Sequence, residues 1–201
     1  MGITLVALYI ACELIANVTA SKPIQIAGIV APAAIFVYTL TFTLIDLINE
    51  TLGKQGARKV IFASFLANLL LAVYAQFAVL LPPASFYQGQ EAFSAILGST
   101  PRIVLASLIA FLLSSLTDAE IFAFWKSHVR GPKWARVLIS NTVSTGIDSI
   151  AFISLAFYGL MPLWTLITGQ YLLKMAITVL SLPLIYLIKG GEKTGKQIIA
   201  G

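Results

Sequence analysis

The 201-residue chain has one cysteine, Cys12, one histidine, His128, and only 10% charged residues. A disulfide needs two cysteines, so a disulfide-stapled secreted module is excluded. Cys12 lies in an apolar run and reads as a small packing residue. One histidine cannot build a histidine-rich zinc site, and no metal is expected. The shortage of charge says most. An ordinary soluble domain is about 25% charged, and this chain has too little polar surface to cover a core. A soluble enzyme and a disordered chain are excluded on the same ground.

What is present is apolar. Hydrophobic residues make up 59% of the chain and the mean hydropathy is +0.93. These values point to an all-α, polytopic membrane protein with one domain over residues 1–201. At about 20 residues per spanning helix, six runs qualify: Ile3–Ala20, Gly28–Thr51, Val60–Leu81, Ile103–Trp125, Val137–Tyr158 and Trp164–Ile188. Pro82-Pro83 stop the third. The first is not a cleaved signal peptide, because it has no basic leader and Glu13 interrupts it. The sequon Asn17-Val18-Thr19 lies inside that run and carries no weight as a glycan site. Lys22 to Ala27 alternates polar and apolar residues, which predicts a short extended segment at the membrane edge. The stretch 82–101, with Phe86, Tyr87, Glu91, Phe93 and Ile96, suits a short interfacial helix, with a passive loop preferred over a lid. No internal repeat marks an inverted-repeat transporter.

The net charge is +5. Lys54, Arg58 and Lys59 follow the second run, Lys126, Arg130, Lys133 and Arg136 the fourth, and Lys189, Lys193 and Lys196 the sixth. These are ten of the thirteen basic residues, and they fall on one side of the predicted topology. The positive-inside rule then puts both termini in the cytoplasm of a multi-pass cell-membrane protein. The basic excess reads as a topology signal facing lipid, with no nucleic-acid partner.

Charges inside a bilayer cost at least about 2.5–3.5 kcal/mol, so each raises a functional hypothesis. The candidates are Glu13, Asp46, Glu50, Asp118, Glu120, Asp148 and Lys174. At about 1.5 Å per residue, Asp148 and Lys174 each sit roughly 15 Å from the outer ends of the fifth and sixth runs. A short loop joins those runs, so an Asp148–Lys174 pair near the midplane is expected, either as a structural ion pair or as part of a substrate site. Asp46 and Glu50 share a helix face, and Gly53 suits the helix end behind them. Arg58 could pair with Glu50 at the surface. Glu13, Asp118 and Arg58 are candidates for coupling or for structural ion pairs. A carboxylate presents two acceptors that match paired N–H donors, as on a guanine-like edge. Aromatic faces with a few directed polar groups suit a flat heterocycle.

Enzyme chemistry lacks its parts. There is no histidine pair, no Ser/His arrangement and no Gly-x-Gly-Asp element. Asp46 with Gly56-Ala57-Arg58 resembles part of a phosphatidyl-alcohol transferase motif, but the further spaced aspartates are absent. Nothing suggests the selectivity ring of a channel.

Four ordered motifs cover nearly the whole chain. They are Ala16-Asn17-Val18-Thr19-Ala20-Ser21-Lys22; Phe42-Thr43-Leu44-Ile45-Asp46 through Asn49-Glu50, Gly53 and Ala57-Arg58; Pro101-Arg102-Ile103 through Ala106-Ser107 to Asp118 and Ile121-Phe122; and Ser140 through Ser144, Ile147-Asp148-Ser149 and Ala156-Phe157, with Gln170-Tyr171 and Lys174. In this set the chain resembles the queuosine precursor transporters of the vitamin-uptake transporter group. It departs from their pattern at Thr39, where proline is common, and at Ser115 and Thr145, where glutamine is common. The resemblance implies uptake of 7-deazaguanines, chiefly 7-cyano-7-deazaguanine, with 7-aminomethyl-7-deazaguanine or queuine as further substrates. It also implies six helices similar to the substrate-binding subunits of energy-coupling-factor transporters, and no cofactor. By the motif match, the site residues are Asn17, Asp46, Glu50, Asp148 and Lys174, followed by Gln170 and Tyr171. Asp148 or Asp46 would accept the ring N–H and exocyclic amine, and Lys174 or Asn17 would donate to the carbonyl. The rival reading is a substrate-binding subunit of an ATP-driven system for another heterocycle. Its partner-docking feature would be Ala7/Ala11, a spacing that Ala16/Ala20 repeats. Facilitated diffusion, proton coupling through Glu13, Asp46 or Asp118, and a homo-oligomer all stay open.

Overall fold

A computed structural model describes residues 2–128 and 133–177. It is helical apart from one hairpin. Helix α1 (Gly2–Thr19) leads into strands β1 (Pro23–Ile26) and β2 (Ile29–Pro32), followed by α2 (Ile35–Leu80), α3 (Gln90–Leu97), α4 (Thr100–His128) and α5 (Lys133–Phe157). A last helix, α6, is described over 163–177. Helix α2 is two helical segments joined at Gly53, whose φ of 70° breaks the helix. That is the left-handed conformation glycine adopts without a Cβ penalty, so the helix end expected there is present. The chain is helical again from Gln55, five residues before the expected start at Val60.

The hairpin corrects the all-α expectation. The segment Lys22 to Ala27 is extended as its alternation predicts, but the second helix does not begin at Gly28. The chain folds back there, pairing Pro23 with Pro32 and Ile26 with Ile29. Ala27 and Gly28 form the two-residue turn, with φ of 51° and 83°. A turn that matches strand twist needs positive φ at both central residues. Pro32 would break a helix continued from Gly28, because it lacks an N–H and clashes with the preceding turn. A short helix, α3, is present within 82–101, where one was expected. Helices α4 and α5 begin at Thr100 and Lys133 rather than at Ile103 and Val137.

Among the described residues, three stretches are long and apolar enough to cross a membrane: Gly2–Thr19, Gln55–Leu80 and Gln90–Thr117. Ile35–Asn49 and Thr142–Phe157 are apolar but shorter. The six expected runs are therefore only partly matched. The hairpin takes the start of the second, and the end of the sixth, to Ile188, falls outside the described residues.

The exterior is apolar as well as the core, unlike that of a soluble protein. Large apolar side chains face outward along α2, with Phe62 63%, Leu70 69% and Tyr74 65% exposed. In water such a surface would be an association site; in lipid it is the solvated face. The interior holds Asn17, Ser64, Asn68, Asp148, Ser149 and Gln170. Hydroxyls without water turn back on their own helices. Thr39 donates to the Ile35 carbonyl and Thr51 to that of Leu47, each at 2.6 Å. That is how a polar side chain is satisfied where lipid offers no partner.

Two apolar clusters close the bundle. At the hairpin end, Ala16, Ala20, Ala34, Ile103, Ala106, Ile153, Ala156, Phe157, Leu166 and Ile167 pack together. At the Gly53 end, Tyr9, Ile48, Ala57 and Val60 do so. Arg102 ties α4 to α5 at the hairpin end, donating to the Leu155 and Tyr158 carbonyls at 2.7 and 2.8 Å. Those carbonyls belong to the last turn of α5 and to the residue beyond it, where no intrahelical donor remains.

Candidate functional site

A polar cleft lies among α1, the hairpin and α2, α4, α5 and α6. Its lining includes Glu13, Asn17, Tyr38, Ser107, Asp148, Phe152, Gln170 and Lys174, and it encloses about 480 Å³, open mouth included. Helix periodicity aligns the α1 contribution. Glu13, Ala16, Asn17 and Ala20 recur at the spacing of one face, and all four line the cleft. The alanines keep that face low, so the acid and the amide project from it.

Lys174 and Asp148 form an ion pair between α6 and α5. The Lys174 ammonium also lies 4.7 Å from the centre of the Tyr38 ring. A cation over an aromatic face is attracted by the ring quadrupole, so Tyr38 and Asp148 together fix the head of a long, flexible side chain. Glu13 lies within the field of Lys174, with the Thr41 side chain beside it. Asn17 is held from two sides. Its amide donates to Asn68 Oδ1 at 2.7 Å, and its carbonyl accepts from the Ser107 hydroxyl at 2.8 Å. Asn68 in turn donates to the Ser64 carbonyl at 3.0 Å. This chain of bonds leaves the Asn17 amide little rotational freedom.

The hairpin meets α6 beside this cleft. A Cβ built on Gly169 would lie 1.8 Å from the Val30 carbonyl oxygen. Only glycine permits that approach. It sets β2 against the turn that carries Gln170, and Pro32 at the end of β2 completes the lining.

The structure thus brings together Asn17, Asp148, Gln170, Lys174 and Glu13 from the sequence expectations. Tyr171 is half-buried, with its ring 3.8 Å from where a Cβ on Gly146 would stand, and does not line the cleft. Arg58 is exposed. Asp46 and Glu50 on α2 and Asp118 on α4 have side chains outside the described set. Sequence reasoning passed over Tyr38 and Ser107 as site residues. Ser107 sits in a motif of the resemblance, and a tyrosine beside the departing Thr39 was the available signal for Tyr38. No group of three or more metal-ligating side chains occurs among the described residues.

The family described as "Putative vitamin uptake transporter" matches residues 32–188. The chain belongs to the vitamin uptake transporter family. It is also 31% identical over 179 residues to a protein of Bacillus subtilis (strain 168) named "Probable queuosine precursor transporter". That alignment covers 87% of this chain and 78% of the relative. No solved structure matches. Family membership and apolar helices with an apolar exterior together make this a membrane transporter.

Proposed function

We propose that this vitamin uptake transporter family member acts alone in the cell membrane and takes up 7-deazaguanine precursors of modified tRNA bases, chiefly 7-cyano-7-deazaguanine. The carrying observation is the cleft itself, a carboxylate–ammonium pair, fixed amides and aromatic rings inside a bundle with an apolar exterior. The similarity to a relative named as a queuosine precursor transporter supports the same substrate class.

The chemistry of the ligand fits the groups at hand. The 7-deazaguanine ring presents a ring N–H and an exocyclic amine side by side, with a carbonyl on the adjacent edge. Asp148 accepts the paired donors. Lys174 engages Asp148 Oδ2 and turns to donate to the ring carbonyl when the ligand enters. Gln170 supplies a further amide, and Phe152 and Tyr38 flank the ring. Asn17, braced by Asn68 and Ser107, fixes the orientation. Aminomethyl and cyclopentene-bearing relatives share this edge and enter the same way. The chain crosses the membrane six times as one domain, with a fold similar to the substrate-binding subunits of energy-coupling-factor transporters. Both termini are cytoplasmic, and Asp46, Glu50 and Tyr171 take part in substrate uptake. Copies of the chain associate through lipid-facing helices.

Expression of this chain alone in cells lacking precursor synthesis tests the reading. Supplied 7-cyano-7-deazaguanine should restore the modified base in tRNA, and Asp148→Asn at equal membrane expression should abolish the rescue. Full rescue by that variant removes Asp148 from the site. If the wild type is present in the membrane and gives no rescue, binding to the purified protein decides between a wrong substrate and a missing energising partner.

A further inference from the structure

The cleft contains more acid than base. Among the described residues, its charged lining consists of two carboxylates, Glu13 and Asp148, and one ammonium, Lys174. Lys174 is paired with Asp148. From α1, Tyr9 stands one turn from Glu13 and acts on it electrostatically; from α2, Tyr38 and Thr41 face it; from α5 and α6, Asp148 and Lys174 do. One positive charge cannot neutralise both acids. An uncompensated carboxylate is tolerated where water fills the cleft and strongly disfavoured where it does not.

We infer that Glu13 is the site of a transported proton, and that one proton enters the cleft with each substrate molecule. The inference rests on the proposed substrate. A flat neutral heterocycle that fills the cleft displaces the water that hydrates the Glu13 carboxylate. The carboxylate then takes a proton from the water on the entry side and becomes a neutral carboxylic acid. The loaded cleft then holds one cation, one anion and one neutral acid. On the cytoplasmic side, departure of the substrate rehydrates Glu13, which returns the proton to water as the carboxylate re-forms. The coupling is reciprocal, since substrate favours protonation and protonation favours substrate.

The position of Glu13 suits this role. It lies one turn along α1 from Asn17, on the same cleft-facing stripe. That places the proton beside the substrate without making Glu13 part of the proposed hydrogen-bonding edge. Asp148 on α5 is left to accept from the ligand.

The test uses purified full-length protein in liposomes and labelled 7-cyano-7-deazaguanine. Counterflow exchange at equal pH on both sides reads substrate handling, and a lumenal pH dye reads proton movement. The wild type should exchange substrate, carry protons inward on substrate addition, and accumulate substrate when the lumen is alkaline. Its binding should weaken about tenfold for each pH unit above the titration of one linked group. Glu13→Gln should still exchange substrate, lose both proton movement and gradient-driven accumulation, and bind with the same affinity at every pH. Wild-type exchange without proton movement overturns the inference and leaves the substrate intact, a result that does not depend on the variant folding. Gradient-driven accumulation that persists in Glu13→Gln also overturns it. Absence of wild-type exchange overturns the substrate reading, and this inference with it.

Discussion

The two ends of the bundle are closed by different kinds of packing. At the hairpin end, Ile103, Ile153, Phe157, Leu166 and Ile167 pack among small residues, and at one point backbone meets backbone. Ala16, Ala20, Ala34, Ala106 and Ala156 are buried there, and Gly169 admits the Val30 carbonyl. At the Gly53 end, side chains of ordinary size meet: Tyr9, Ile48 and Val60, with Leu5, Val6, Ile10, Leu44 and Ile45 against them. A contact between backbones is fixed by the absence of atoms, and one added methyl destroys it. A contact between aliphatic side chains adjusts by rotamer changes. The polar cleft borders the hairpin-end cluster and shares Ala16, Ala20 and Ala34 with it. The comparison suggests one end that is either seated or unseated, and another that yields gradually.

The largest expected effect lies in the cleft. Removing one partner of a buried ion pair typically costs about 3–5 kcal/mol, because the other charge is left unpaired. Asp148→Ala should therefore lower the thermal melting point in detergent well below wild type, and Asp148→Ala with Lys174→Ala should recover much of that loss. A double variant no more stable than the single would show that the pair does not act as a unit.

Next comes the hairpin end itself. Gly169→Ala places a methyl where the Val30 oxygen stands, and overpacking of this kind costs about 1–3 kcal/mol. The melting point should fall, and a cross-link between cysteines placed in β2 and α6 should form less readily. An unchanged melt and an unchanged cross-link would erase the distinction between the ends. Asn17→Ala should fall in the same range, about 1–3 kcal/mol, because it strands the Asn68 carbonyl and the Ser107 hydroxyl. Asn17→Ser, retaining one hydrogen-bonding group, should lose less in the same melt.

The smallest effect is expected at the Gly53 end. Ile48→Val removes one methylene from a fully buried side chain, a change that costs about 0.5–1.5 kcal/mol. A loss larger than that of Gly169→Ala would reverse the comparison and make the Gly53 end the less forgiving one.

Legibility in the sequence followed the range of the interaction that set each feature. The helices were readable because an apolar run and its polar punctuation are local, as at Pro82-Pro83 and Gly53. The extended character of Lys22 to Ala27 was readable for the same reason. Its partner strand was not. Ile29 to Pro32 is an apolar continuation of a helical pattern, and it becomes a strand only by pairing back across the Ala27-Gly28 turn. Among the site residues, intramembrane charge drew attention to Glu13, Asp148 and Lys174, since any charge there needs a reason. Tyr38 and Ser107 gave no comparable signal, because a tyrosine and a serine are unremarkable in an apolar helix until a lysine or an asparagine from another helix reaches them.

Composition by itself determined the solvent of this protein. With 10% charged residues it has too few to dress a water-facing surface, and ordered motifs along the chain fixed its family. Only the tertiary structure decided which of the scattered acids share a cleft and that a hairpin sits against α6 at Gly169, whereas the Asp148–Lys174 pair was already expected from helix depth. Those facts depend on the distance between residues far apart in the chain. The periodicity of a single helix sets which face a residue occupies, but carries no information about what stands opposite.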